Sequence, residues 1–131
     1  MKRLLGCILA LSCTLAAAQP CPKPAEVKVE HLLGIWQAQV QGMVEGASLE
    51  LARHPRYVDS VAGDIVRNGV RALVSGEIEG AEFSMEESAD GTHISATWVG
   101  EFVDGTCGRE IRGTWQRDGV EQAYPFVMKK Q

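Results

Sequence analysis

The chain has 131 residues, a formal net charge of −4 and four cysteines. That length suits one domain. Its basic residues are scattered, so this acidic chain offers no phosphate-binding footprint, and nucleic acid is not an expected partner.

Lys2-Arg3, an apolar run from Leu4 to Leu15 and then Ala16-Ala17-Ala18 form the pattern of a secretory signal peptide. The run is too short to span a bilayer. The expectation is cleavage after Ala18, which removes segment 1–18, with no membrane insertion thereafter and a periplasmic or secreted location. Lipidation at Cys13 is the alternative, but Ala10-Leu11-Ser12 before it lacks the Leu expected three residues upstream. Losing Lys2 and Arg3 takes the net charge from −4 to −6. Cys21 and Cys107 stay behind, and in an oxidising compartment an isolated pair most simply forms one disulfide. Two free thiols is the alternative.

Residues 19–33 read as an N-terminal arm: Pro20 to Pro24, then a helical turn or two up to Leu33. From residue 34 the chain is punctuated by Glu45-Gly46, Asn68-Gly69, Glu79-Gly80, Asp90-Gly91, Asp104-Gly105 and Asp118-Gly119. A two-residue hairpin loop of type I′ needs positive φ at both positions, which Asn-Gly and Asp-Gly supply at least cost. The intervening segments mostly alternate apolar with polar. They predict strands at 34–44, 47–53, 57–67, 70–78, 81–89, 92–103, 106–117 and 120–128. Two-residue loops place Trp98 opposite Ile111, Gly100 opposite Arg109 and Gly113 opposite Tyr124. One face then collects all eight aromatic residues, Tyr57 included. A one-residue slip would turn that face outward. Eight strands let the first close on the last, leaving no edges. The fold class is all-β: an eight-stranded antiparallel up-and-down β-barrel over residues 34–131, with a short N-terminal arm.

At one end, strand direction brings Trp36 near Arg109, an inward residue that Asp59 could neutralise. Cys107 lies at the same end, within reach of the arm. Gly34-Ile35-Trp36 at the start of the first strand, with Arg109 near the C-terminus, resembles the calycin signature of lipocalins, fatty-acid-binding proteins and avidins. The stretch Ala96-Thr97-Trp98-Val99-Gly100-Glu101-Phe102-Val103, followed by Arg109, Ile111 and Trp115, is similar to avidins. Avidins read the head of biotin with hydroxyl and amide side chains. The matching inward positions here are Ala38, Gly42, Ile94 and Ala96, so the resemblance implies the barrel and not biotin binding. Likeness to fatty-acid-binding proteins implies that Arg109 grips a carboxylate. The structural reading is that Gly34, Trp36 and Arg109 cap the barrel base.

Towards the other end the inward residues become small: Gly63, Val74, Met85, Ala96 and Gly113, under a rim of Glu87, Trp115, Gln122 and Tyr124. With Trp98 below, this predicts a shallow apolar cup, lined by Met85, Glu87, Ala96, Trp98, Trp115, Gln122 and Tyr124, for a small apolar ligand. His31, His54 and His93 are scattered and no nucleophile motif is present, so neither a metal, a cofactor nor catalysis is expected. The rival expectation is a module that binds an extracytoplasmic protein, such as a hydrolase. Bacterial periplasmic metalloprotease inhibitors are similar in outline: an exported eight-stranded barrel with a short N-terminal arm and Gly-x-Trp.

Overall fold

The structure is a computed structural model that describes residues 21–131. The segment 1–18, expected to be a signal peptide, and Cys13 lie outside the described residues. Pro24–Glu26 form one 3₁₀ turn and Val29–Leu32 form the short helix α1. Eight strands follow: β1 (Gly34–Val40), β2 (Ala47–Arg53), β3 (Ser60–Arg67), β4 (Val70–Glu79), β5 (Glu82–Ser88), β6 (Ala96–Phe102), β7 (Glu110–Arg117) and β8 (Ala123–Lys130). They form a closed antiparallel barrel in sequence order, with β8 pairing back onto β1. This is the expected architecture.

The inward face is the expected one on every strand. Trp36, Leu49, Val61, Phe83, Trp98, Ile111 and Met128 are almost wholly shielded from solvent. The pairing along the strands differs. Only Asn68-Gly69 makes the two-residue loop the sequence suggests: both residues have positive φ (48° and 74°) and Arg67 faces Val70. Elsewhere the partners have slid by an even number of residues. Trp98 faces Trp115 rather than Ile111, Met85 faces Trp98, and Trp115 faces Tyr124.

At β5–β6 and β6–β7, polar side chains and the disulfide explain the slide, because each turns extra residues into a longer loop. At β4–β5 the two-residue loop moves one residue on, to Gly80-Ala81, with Glu79 facing Glu82. Asp90 Oδ1 accepts the backbone N–H groups of Thr92 and His93, both at 2.8 Å, which takes residues 89–95 out of the ladder. Those N–H donors and the His93 ring hold the Asp90 carboxyl well below the usual carboxylate range. Between β6 and β7, Thr106 N–H donates to Val103 O and Arg109 N–H to Thr106 O. These two consecutive turns carry Cys107, at φ +57°, to its partner Cys21. The expected disulfide is present.

The arm closes the base. Val27, Val29 and Leu32 are buried in the same core as the barrel. Leu32 O accepts the Trp36 indole N–H at 2.8 Å. Gly34, at φ +125°, makes the bend into β1 in a conformation that L side chains rarely adopt.

Two expectations at this end are corrected. Arg109 is exposed, in the β6–β7 loop and not inside the barrel; its Nη2 donates to Lys130 O at 3.3 Å. The cation across from Trp36 is Lys130, whose Nζ donates to His31 O at 2.9 Å. Burial, and then the nearby Arg109 charge, push the Lys130 ammonium pKa down. Arg109 therefore does belong to the base, through a backbone carbonyl, but not as a guanidinium facing the interior. Tyr57 and Asp59 do not face inward either. His54 Nδ1 accepts the backbone N–H of Arg56 at 3.1 Å and of Tyr57 at 3.3 Å, so the chain turns and β3 starts only at Ser60.

Candidate functional site

The open end is where β1, β3, β5 and β7 finish, and it gathers most of the expected site residues. Met85, Glu87, Ala96, Trp98 and Trp115 face inward there, each no more than 4% exposed. Tyr124 is half-buried, with its ring centroid 6.4 Å from that of Trp115. Gln122 is not part of this group. The β7–β8 slide moves it into the exposed loop and sets Tyr124 opposite Trp115 instead.

The Glu87 carboxylate is the hub. Its Oε1 accepts the Trp98 indole N–H and an Arg67 Nη2 proton, both at 3.1 Å. A carboxylate this buried is strongly destabilising without such partners. The bond set ties β3, β5 and β6 together under the rim. Above it sits the Trp115 ring, with the Arg67 guanidinium carbon 5.9 Å and that of Arg117 5.8 Å from its centroid. Both distances suit cation–π attraction. Arg67 and Arg117 were missed as site residues. Their signal was available, since Arg67 shares the parity of Val61 and Ile65, and Arg117 that of Ile111 and Trp115.

The expected cup is largely filled. Gly63 and Gly113 do not open space beneath Trp115. A methyl group on Gly63 would meet Glu50 O, and one on Gly113 would meet Val99 O, so neighbouring backbone occupies both places. Ala96 is likewise enclosed, paired between Glu87 and Arg117. Ala96→Leu is expected to overpack the core and destabilise the protein by roughly 1–3 kcal/mol in a urea melt. An unchanged or higher midpoint would reveal hidden space.

What remains open is a groove of about 270 Å³ at the mouth. Its walls include Val40, Met43, Trp115, Arg117, Val120 and Tyr124. Met43 is held by the β1–β2 loop, where its N–H donates to Val40 O at 3.1 Å and its carbonyl accepts from Gln39 Nε2 at 2.8 Å. One polar atom here stands apart. Trp115 Nε1 is buried and, among the described residues, has no hydrogen-bond partner. Buried indole N–H groups usually find an acceptor, and an orphan costs about 1–3 kcal/mol. The site thus combines apolar walls, an unused donor and a guanidinium that forms no ion pair among the described residues. Among those residues no three of His, Cys, Asp and Glu converge as metal ligands would. Compared with known protein families and with curated proteins, the chain matches no family and none of those curated proteins.

Proposed function

We propose that the protein is an exported barrel that binds a small, mostly apolar ligand at its open end, in the groove between Trp115, Tyr124, Met43 and Val120. The observation that carries this reading is the unpartnered Trp115 indole N–H beside an apolar groove. A ligand that parts the side chains over this buried atom and brings one acceptor would satisfy the donor and cover the aromatic pair, the usual make-up of a small-molecule site. The calycin-like Gly34-x-Trp36 start and the stretch around Trp98 support the same use of the barrel. The leader pattern at residues 1–18 and the Cys21–Cys107 disulfide support export. No step in this role needs catalysis, a metal or a cofactor.

Trp115→Phe tests it. The variant keeps an aromatic ring and removes the orphan donor, which relieves about 1–3 kcal/mol, but it also vacates the space of the indole's second ring, which costs a similar amount, so the unliganded protein is expected to melt near the parent. Small apolar ketones, esters and lactones serve as probes; titration calorimetry measures their binding to parent and variant alike, and tryptophan fluorescence follows it in the parent. Trp36 and Trp98 are fully buried, so a change on binding reports Trp115. Binding to the parent about tenfold tighter than to Trp115→Phe is the expected result. If no probe binds, and native mass spectrometry of protein from its own host shows no retained small molecule, the reading fails.

A further inference from the structure

The outer wall of the barrel carries a feature that the mouth leaves unused. The six-residue β2–β3 connection, residues 54–59, leans over the outside of β4 and β5 and leaves a groove of about 650 Å³. On one side of it stand Tyr57 and Val58, 63% and 86% exposed. The other side is the outward face of the sheet, with Glu77, Ser84, Glu86 and Thr97. The loop is held from within. His54 Nδ1 accepts two of its N–H groups, the His54 and Tyr57 rings lie 4.7 Å apart, and Asp59 O accepts Ile78 N–H at 3.3 Å. An aromatic and an aliphatic side chain are therefore displayed to solvent on a fixed support. Such anchors lose little freedom on docking and form the centres of protein interfaces.

The floor beside the groove gives the partner its charge. Glu82 faces Glu79 on one neighbouring strand and Glu101 on the other. Like charges directly opposite one another destabilise a sheet. Among the described residues, none of Glu77, Glu79, Glu82, Glu86 and Glu101 forms an ion pair. Arg112, directly across from Glu101, is turned to Glu110 at 3.3 Å. Among the described residues, Arg56, at the lip, is the one cationic side chain lining the groove. This row repels phosphate, which disfavours nucleic acid and anionic membranes, and the apolar pair beside it is more than a small cation needs.

We infer that the outer face of β4–β6, with the 54–59 loop, is the docking surface for a cationic protein. The partner packs an apolar patch on Tyr57 and Val58 and sets basic side chains against Glu77, Glu82 and Glu86. Its arrival neutralises a repulsion that the free barrel carries. This surface is separate from the mouth and does not depend on a ligand there.

The test passes the exported-protein fraction of the producing cells over immobilised full-length protein, then identifies, purifies and titrates what is retained. The expected result is one basic protein whose affinity falls as salt rises. Glu82→Lys is expected to weaken it about thirtyfold and Tyr57→Ala about tenfold, whereas Trp115→Phe leaves it unchanged. Glu82→Lys is also expected to raise the melting temperature of the free barrel, because it turns two repulsive cross-strand pairs into attractive ones. Lost binding in a more stable variant cannot be ascribed to unfolding. Retention of only neutral or acidic proteins, or of a basic protein that binds Glu82→Lys and Tyr57→Ala as well as the parent, would overturn the inference. So would the absence of any retained protein.

Discussion

Gly113→Ala is expected to remove a large share of the stability of this barrel. Gly113 on β7 faces Gly100 on β6, and the two strands approach so closely that an added methyl would strike Val99 O and the Gly100 Cα. Both are backbone atoms of a paired strand, so no side chain can swing aside. The reverse change is also blocked, since a methyl on Gly100 would lie 2.6 Å from Arg112 O. Ordinary overpacking costs roughly 1–3 kcal/mol, and separating two paired strands should exceed it, at about 4 kcal/mol or more. Domains of this kind hold only about 5–15 kcal/mol in total. Urea denaturation of Gly113→Ala beside Gly76→Ala gives a graded check. The methyl at Gly76 meets Ser84 O at 3.0 Å and the movable Phe83 ring at 3.2 Å, so that variant should lose much less. Equal midpoints for the two would show that the close approach is not limiting.

The second large effect is expected from the Cys21→Ser, Cys107→Ser double variant. The disulfide joins positions 86 residues apart. The chain-entropy estimate for so long a loop is about 4–5 kcal/mol, the upper range, because real denatured states are not ideal chains. The arm it holds also carries Val27, Val29 and Leu32 into the core and supplies the acceptor for Trp36 Nε1. Loss of the tether should therefore lower the melting temperature and wet Trp36, which shifts its fluorescence to the red. Reduction of the unaltered protein should reproduce both changes. A variant that melts like the parent, with no spectral shift, would show that the arm stays docked by packing alone.

The sequence specified the face of each residue within the eight strands far better than its neighbour across the ladder. Burial fixes parity, since a slip by one residue would expose Trp98 and bury Arg112. A slip by two leaves the same residues inside and is decided by the loops. Those loops depend on Asp90 folding back on Thr92 and His93, on Thr106 turning to Val103, and on Cys107 reaching Cys21. None of this is periodic, so none of it shows in an alternating pattern. The candidate site inherits the same split. Glu87, Trp98 and Trp115 were found by parity; Gln122 was lost when β8 slid. At the base, Arg109 was chosen although Lys130 holds the inward parity of Phe126 and Met128. The glycines misled for a different reason. A missing side chain was read as a hole, whereas strands here move together to fill it, as at Gly63 and Gly113.

The bridge from arm to β6–β7 loop also bears on the order in which the barrel can assemble. β8 occupies the slot between β7 and β1, and Trp36 meets Lys130 across 94 residues of sequence. Contacts so distant along the chain are slow to form, because the entropy of closing the loop must be met first. Cys21 precedes β1, and Cys107 sits just before β7. Their bond needs nothing from β8. Once made, it tethers the entrances of the two strands that flank the vacant slot. The last strand then inserts into a gap of nearly fixed width, and the exposed edges of β1 and β7 spend less time open to pairing with another chain.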